Sequence, residues 1–210
     1  MRVFVAILVL LLAPSSAAAQ DHDHPYVPPA PGVLGGAFSL HDQSGAEFTD
    51  ANLRGRWTML YFGYSRCRSA CPVALPALAG ASETLHERGV SARAVFVDID
   101  AAPAPIRLRS EAAHDGGHQH AGDAIAPLAD AFRNVTFLSG SRGQIRQALT
   151  AFRVRTEHVP ARTDLGESGH SINHTTAIYV IGPDGVVVGY VYHTVAPGEL
   201  AAYVERRAHE

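Results

Sequence analysis

The sequence predicts an α/β fold, and three observations carry that prediction. Two apolar runs, one from Trp57 to Phe62 and one from Ala92 towards Asp100, are continuous enough to be strands buried on both faces. Between them Leu75, Leu78, Ser82 and Leu85 recur at helical spacing, so strand, helix and strand follow one another as in a parallel crossover. Near the C-terminus, Ala177–Ile181 and Val186–Tyr192 flank Gly182-Pro183-Asp184-Gly185, the pattern of a β-hairpin.

The 210-residue chain is 47% hydrophobic and 18% charged, with a formal net charge of −3. That is enough for one domain with a substantial core. The slight acidity leaves no electrostatic footprint for nucleic acid and no polybasic membrane surface. Residues 1–19 read as a signal peptide, with Arg2 before the apolar Val3–Leu12 and the small residues Ala17-Ala18-Ala19 at the cleavage site. The apolar run is short for a bilayer span, so little membrane insertion is expected once it is removed. Uncleaved, the same segment would act as an anchor. The expected compartment is the periplasm, an oxidising space.

Residues 20–33 are rich in proline and charge and read as a flexible linker. It holds His22 and His24. With Gln20 first, His22 becomes the third residue, and a free amine, two amides and that imidazole can take Cu(II) in a square plane; a solvated tail is the plainer reading. The domain is expected over 34–208. Residues 35–49 alternate around an Asp42-Gln43-Ser44-Gly45 turn as an N-terminal β-hairpin, and Thr49 or Asp50 caps a short turn ending at Leu53. The helix after the first buried strand runs to about Arg88, stops at Gly89, and has an irregular first turn because of Pro76. Asp98 and Asp100 close the second buried strand at period two. A helix is expected near 105–113, followed by His114, His118 and His120 among glycines, a surface loop or a loose metal site. Ile125–Arg133 reads as a short helix, Val135–Leu138 as a strand, and Ser141 as the cap of a helix to about Phe152. Residues 153–173 show no period and read as a long loop. Pro197 opens a closing helix.

The only two cysteines, Cys67 and Cys71, fall where the first buried strand turns into its helix. Free backbone N–H groups and the helix dipole there favour an anion, and Arg66 and Arg68 push the same way, so thiolates are expected. At Cys-x3-Cys spacing two side chains share one face of a helical turn, about 5–6 Å apart at Cβ. That suits two sulfurs on one soft metal ion. It also permits a disulfide after a small shift, whether redox-active or merely structural, although a bridge closing so short a loop removes little chain entropy. The element order is a thioredoxin-like plan, in which the segment before the last hairpin faces the cysteine turn and can bring His174 beside both sulfurs.

Three stretches together resemble the Sco/SenC family of copper proteins. They are Tyr61-Phe-Gly-Tyr-Ser-Arg-Cys67-Arg-Ser-Ala-Cys71-Pro72, the run from Phe137 to Ile145, and Asn173-His174-Thr-Thr-Ala-Ile-Tyr-Val-Ile-Gly-Pro-Asp-Gly185. The hairpin at 35–45 is similar too. The resemblance implies a thioredoxin-like fold with one copper held by Cys67, Cys71 and His174, and at most an outer role for Asp98. It further implies delivery of copper to the binuclear site of cytochrome c oxidase, through its copper-accepting subunit, or reduction of that subunit's cysteines with a thiol reductant partner. Two thiolates and one imidazole make a soft three-coordinate site that suits Cu(I), and a weak fourth ligand would accommodate Cu(II). Arg66 and the Arg68-Ser69-Ala70 insert differ from the family's usual residues, which alters the charge a partner meets.

The alternative from another class is an extracytoplasmic thiol–disulfide oxidoreductase using Cys67 and Cys71 as attacking and resolving thiols, in which case the pair is the catalytic centre. Its usual motif has two intervening residues rather than three. A peroxidase-like reading would need Thr or Ser three residues before the reactive cysteine, where Tyr64 stands.

Overall fold

A computed structural model describes residues 32–65, 67, 70–100, 121–160 and 170–210. The expected signal peptide, most of the linker with His22 and His24, the helix near 105–113, and His114, His118 and His120 lie outside the described residues, as do Arg66 and Arg68. Among the described residues no helix is long and apolar enough to cross a membrane.

The elements are β1 (Ser39–Asp42), β2 (Glu47–Thr49), β3 (Trp57–Gly63), α1 (Cys71–Glu87), β4 (Ala92–Asp98), α2 (Ala121–Ala131), β5 (Val135–Ser139), α3 (Arg142–Ala151), β6 (Thr156–Pro160), β7 (His170–His174), β8 (Ala177–Ile181), β9 (Val187–Tyr192) and α4 (Pro197–Ala208). Seven strands form one sheet in the order β2-β1-β5-β4-β3-β8-β9, and β6 and β7 form a separate pair. β3, β4 and β5 are parallel, as crossovers through helices require, while β8 runs antiparallel to β3. The N-terminal hairpin joins the sheet through β1, which pairs with β5, so the thioredoxin-like core carries the expected extension.

The sheet separates two cores. One side packs α1, α4 and α2 against Met59, Tyr61, Phe96 and Ile178; the other packs the N-terminal hairpin and α3 against Leu60, Phe62, Val97 and Tyr179. This two-sided burial is why β3 and β4 read as unbroken apolar runs. α1 and α4 approach closely at Gly80, where a Cβ would lie 2.9 Å from the Pro197 ring.

Several expectations are corrected. Residues 153–173 are not a featureless loop: β6 and β7 pair antiparallel with Thr156 opposite His174 and Pro160 opposite His170. Both strands are polar and β6 is largely exposed, so backbone pairing holds them with little apolar alternation to betray them. α1 runs unbroken through Pro76, which forfeits one hydrogen bond without ending the helix. β4 ends at Asp98; the Asp100 N–H turns back to donate to Asp98 Oδ1 at 2.9 Å, so the two carboxylates do not share a strand face. α2 starts before Ile125 and stops at Ala131. The capped elements fall as expected: Ser141 and Gln144 form a reciprocal capping box on α3, and Thr49 and Asn52 form one on the 3-10 turn 50–53.

Candidate metal centre

The site lies where the C-terminal end of β3 meets the N-terminal end of β8. Tyr61 pairs with Ile178. Continuing that antiparallel register beyond both strands carries Thr175 level with Tyr64 and His174 level with Ser65, just short of Cys67. A residue far downstream in sequence thus arrives beside the cysteine turn because two strands are neighbours.

One carbonyl gathers the thiols. Tyr64 O accepts the Cys67 N–H at 3.0 Å and the Cys71 S–H at 3.6 Å. Cys71 opens α1 and is 3% exposed, while Cys67 is half-buried in the turn before the helix. The pair therefore meets across a turn, not on one helical face as the spacing suggested. Gly63 makes room: a Cβ there would lie 2.8 Å from Cys71 Sγ and from the Phe96 ring.

His174 is held on two sides and at one nitrogen. Tyr61 and Tyr64 present ring contacts near perpendicular to the imidazole, with centroids 5.9 and 6.1 Å away. Nδ1 lies 3.0 Å from Thr175 O. A carbonyl only accepts, so Nδ1 carries the proton and Nε2 keeps its lone pair for a ligand. The base of the hairpin is closed by Thr175 N–H donating to Arg155 O at 3.1 Å and by Arg155 N–H donating to Thr175 Oγ1 at 3.1 Å. One donor atom from each of Cys67, Cys71 and His174 lies within 4.8 Å of the others. Two sulfurs and an imidazole nitrogen at that spacing fit a soft cation.

The electrostatics correct one expectation. Instead of a thiolate stabilised by the helix start, Cys71 has a pKa raised far above the ordinary thiol range. The hydrogen bond shared with Cys67 is the largest cause, followed by burial. In the metal-free protein Cys71 is therefore a thiol, and a metal ion bound there displaces its proton. Burial likewise raises the Tyr61 phenol, with the two sulfurs adding to it. Asp98 is 1% exposed and burial pushes its carboxyl up to about 7, against the opposing pull of the Asp100 N–H. Among the described residues Tyr61 Oη and Asp98 Oδ2 have no hydrogen-bond partner. The two tyrosines around His174 are the contribution that periodicity could not reveal. Both belong to the cysteine stretch, but only the fold brings the imidazole between them.

Fold and site together define a thioredoxin-like protein whose cysteine turn is completed by a distant histidine. A sequence model of the SCO1/SenC family matches residues 28–209, and the chain belongs to that family. It is 29% identical to the human mitochondrial SCO1 homolog over 82% of this chain and 52% of that protein. It is 26% identical to a SCO2-like protein of Rickettsia prowazekii over 80% of this chain and 73% of the relative. It thus spans only about half the length of the human relative. Among solved structures, Bradyrhizobium japonicum ScoI with copper bound is 26% identical, with a TM-score of 0.64 over 82% of this chain and 98% of that one. Arabidopsis thaliana ScoI with copper bound is 25% identical, with a TM-score of 0.67 over 84% and 99%.

Proposed function

We propose that this protein is an extracytoplasmic copper chaperone. Cys67 and Cys71 hold one copper ion as thiolates and His174 holds it through Nε2. The observation that carries the reading is the convergence of these three donors within 4.8 Å from two distant parts of the chain. The copper-bound relatives and membership of the SCO1/SenC family support it. The acceptor is the copper-accepting subunit of cytochrome c oxidase, and the working compartment is the periplasm, reached through the 1–19 signal. Copper is cargo here. The protein's part is to grip Cu(I) with soft donors, to exclude water with the aromatic walls around His174, and to take or give up the Cys71 proton as the ion leaves or arrives.

A second reading has its own observation: the two cysteines are not joined in a disulfide and lie close enough to share a hydrogen bond. The same pair can pass electrons to a partner's disulfide and be regenerated by a thiol reductant protein.

Competition titration of the reduced protein with a Cu(I) chelator tests the first reading. Cys71→Ser is expected to weaken Cu(I) binding by more than the roughly 100-fold that an outer-shell change costs. His174→Ala weakens it less, since two thiolates remain. Tight binding unchanged by His174→Ala removes the histidine from the site. A Cys67–Cys71 potential well below about −300 mV would weigh against an oxidant role and leave a structural or reducing pair.

A further inference from the structure

Tyr64 meets the candidate metal centre with its main chain, its ring and its hydroxyl. Its carbonyl gathers Cys67 and Cys71, and its ring stands against the His174 imidazole. Its hydroxyl lies within hydrogen-bonding reach of the Cys67 sulfur and of the Ile172 amide. Tyr64 is buried in the same core cluster as Ile172. Tyr61, the second ring against the imidazole, is buried in the opposite core, and its hydroxyl has no partner among the described residues. The two walls stand at nearly equal distance from His174, but only one of them carries a hydroxyl with something to hold.

We propose that Tyr64 is a positioning residue that latches the β6–β7 hairpin to the cysteine turn: its hydroxyl accepts the Ile172 N–H and donates to Cys67 Sγ, so that one side chain sets His174 and Cys67 relative to each other. The latch to Ile172 stands without any metal; the consequence of the Cys67 contact for a bound ion rests on the copper reading above.

Three arguments carry this. The first is the ladder. The Thr175 N–H donates to Arg155 O, which fixes the alternation of the antiparallel pair. Ser171 and Asn173 therefore turn their backbone groups towards β6, and Ile172 turns its N–H away from it. That N–H is buried with its side chain and needs an acceptor from outside the hairpin. The Tyr64 hydroxyl is the acceptor in reach. The second is proton arithmetic. A tyrosine hydroxyl has one proton and can also accept. With the Ile172 N–H directed at its oxygen, its own proton is left for the sulfur. A thiolate accepts and cannot donate, so the contact strengthens when Cys67 gives up its proton. The third is leverage. Ile172 lies two residues before His174 on one strand, roughly 7 Å along it, so a restraint on its amide is a restraint on the imidazole. The wall at Tyr61 does none of this through its hydroxyl, which separates a tyrosine used for its ring from one used for its oxygen.

The test compares Tyr64→Phe with Tyr61→Phe in the full chain; each keeps the ring and deletes one hydroxyl. In the metal-free protein, Tyr64→Phe is expected to speed hydrogen exchange of the Ile172 amide about tenfold, the size of one net hydrogen bond, with the Ser171 and Asn173 amides held within about twofold. An unchanged Ile172 amide overturns the latch. So does equal speeding of all three, which would mean that the hairpin has lost packing as a unit. Tyr61→Phe is expected to leave the Ile172 amide slow. With Cu(II) bound, a donor on Cys67 Sγ lowers the energy of the sulfur electrons, so its loss in Tyr64→Phe should move the sulfur-to-copper charge-transfer band to longer wavelength. A band that stays in place overturns the Cys67 contact. A shift as large in Tyr61→Phe also overturns it, since the cause would then be wall polarity at large. A parent chain that binds no copper removes the copper reading and the effect on the ion together, while the Ile172 amide still decides the latch.

Discussion

The two halves of the candidate metal centre are held in different ways. Cys71 begins a 17-residue helix, is almost fully buried, and packs with Tyr61, Phe96 and Leu75 in the core between the sheet and the α1 and α4 layer. His174 ends a five-residue strand whose partner, β6, is mostly exposed and belongs to a separate two-stranded sheet. An isolated pair of strands is marginal in water without a packed face. Of the described β7 side chains, from Ser171 to His174, Ile172 is the buried one, reaching the core on the far side of the sheet from α1. The thiol half is thus part of the global fold, and the imidazole half opens at lower cost. The proposed chaperone role, in which the site both holds an ion and surrenders it, would be served by that asymmetry.

Three changes would break or sharpen this contrast. The largest effect is expected from Ile172→Ala, which deletes the hairpin's main apolar anchor. A loss of roughly 2–5 kcal/mol is expected, concentrated in the hairpin. Hydrogen exchange should speed in β6 and β7 while β3 and β4 stay protected, and Cu(I) should bind more weakly; equal speeding across the sheet would show that the two halves are one unit.

Asp98→Asn probes the thiol half. Burial pushes the Asp98 carboxyl up to about 7, from an ordinary aspartate value of 3.8. Over that window the folded state binds a proton that the unfolded state has released, so stability falls as pH rises from about 4 to about 7. The full penalty, of order 4 kcal/mol, is present above the folded pKa and absent below the unfolded one. The amide keeps the acceptor for the Asp100 N–H without the charge, so Asp98→Asn should be more stable than the parent at pH 8 and indistinguishable at pH 3.5. Parallel denaturation curves at both pH values would refute a buried titrating carboxyl. The smallest effect is expected from Gly63→Ala, whose methyl would crowd Cys71 Sγ and Phe96. Overpacking of this kind costs about 1–3 kcal/mol. The Cu(I) affinity should drop with it, since the sulfur itself must move; stability lost with affinity intact would place the rearrangement on Phe96.

The sequence announced the halves unequally for the same physical reason. β3, α1 and β4 are buried on well-defined faces, so Trp57–Phe62 and Leu75, Leu78 and Leu85 declare themselves by pattern. The cap at Ser141 and the turn at Asp42 were legible because their side chains make the local hydrogen bonds that such positions demand. Residues 153–173 were illegible because β6 and β7 are specified by backbone pairing and by Ile172, not by a repeating apolar face. His174 was found from its place before the final hairpin. Its neighbours Tyr61 and Tyr64 were not assigned to it, because ring contact across the β3–β8 register has no local signature. The state of Cys71 is illegible for a related reason: position at a helix start is visible in sequence, whereas burial and a second thiol pressed against the first are not.

The antiparallel seam between β3 and β8 also sets an order of events during synthesis. Cys67 and Cys71 leave the ribosome roughly a hundred residues before His174 does. Until Ile178 has found Tyr61, copper offered to the emerging chain meets only a bare dithiol. A full three-donor grip is therefore a certificate that the C-terminal half has been delivered and paired, and premature metal at the N-terminal half would have to be re-coordinated before the sheet could close.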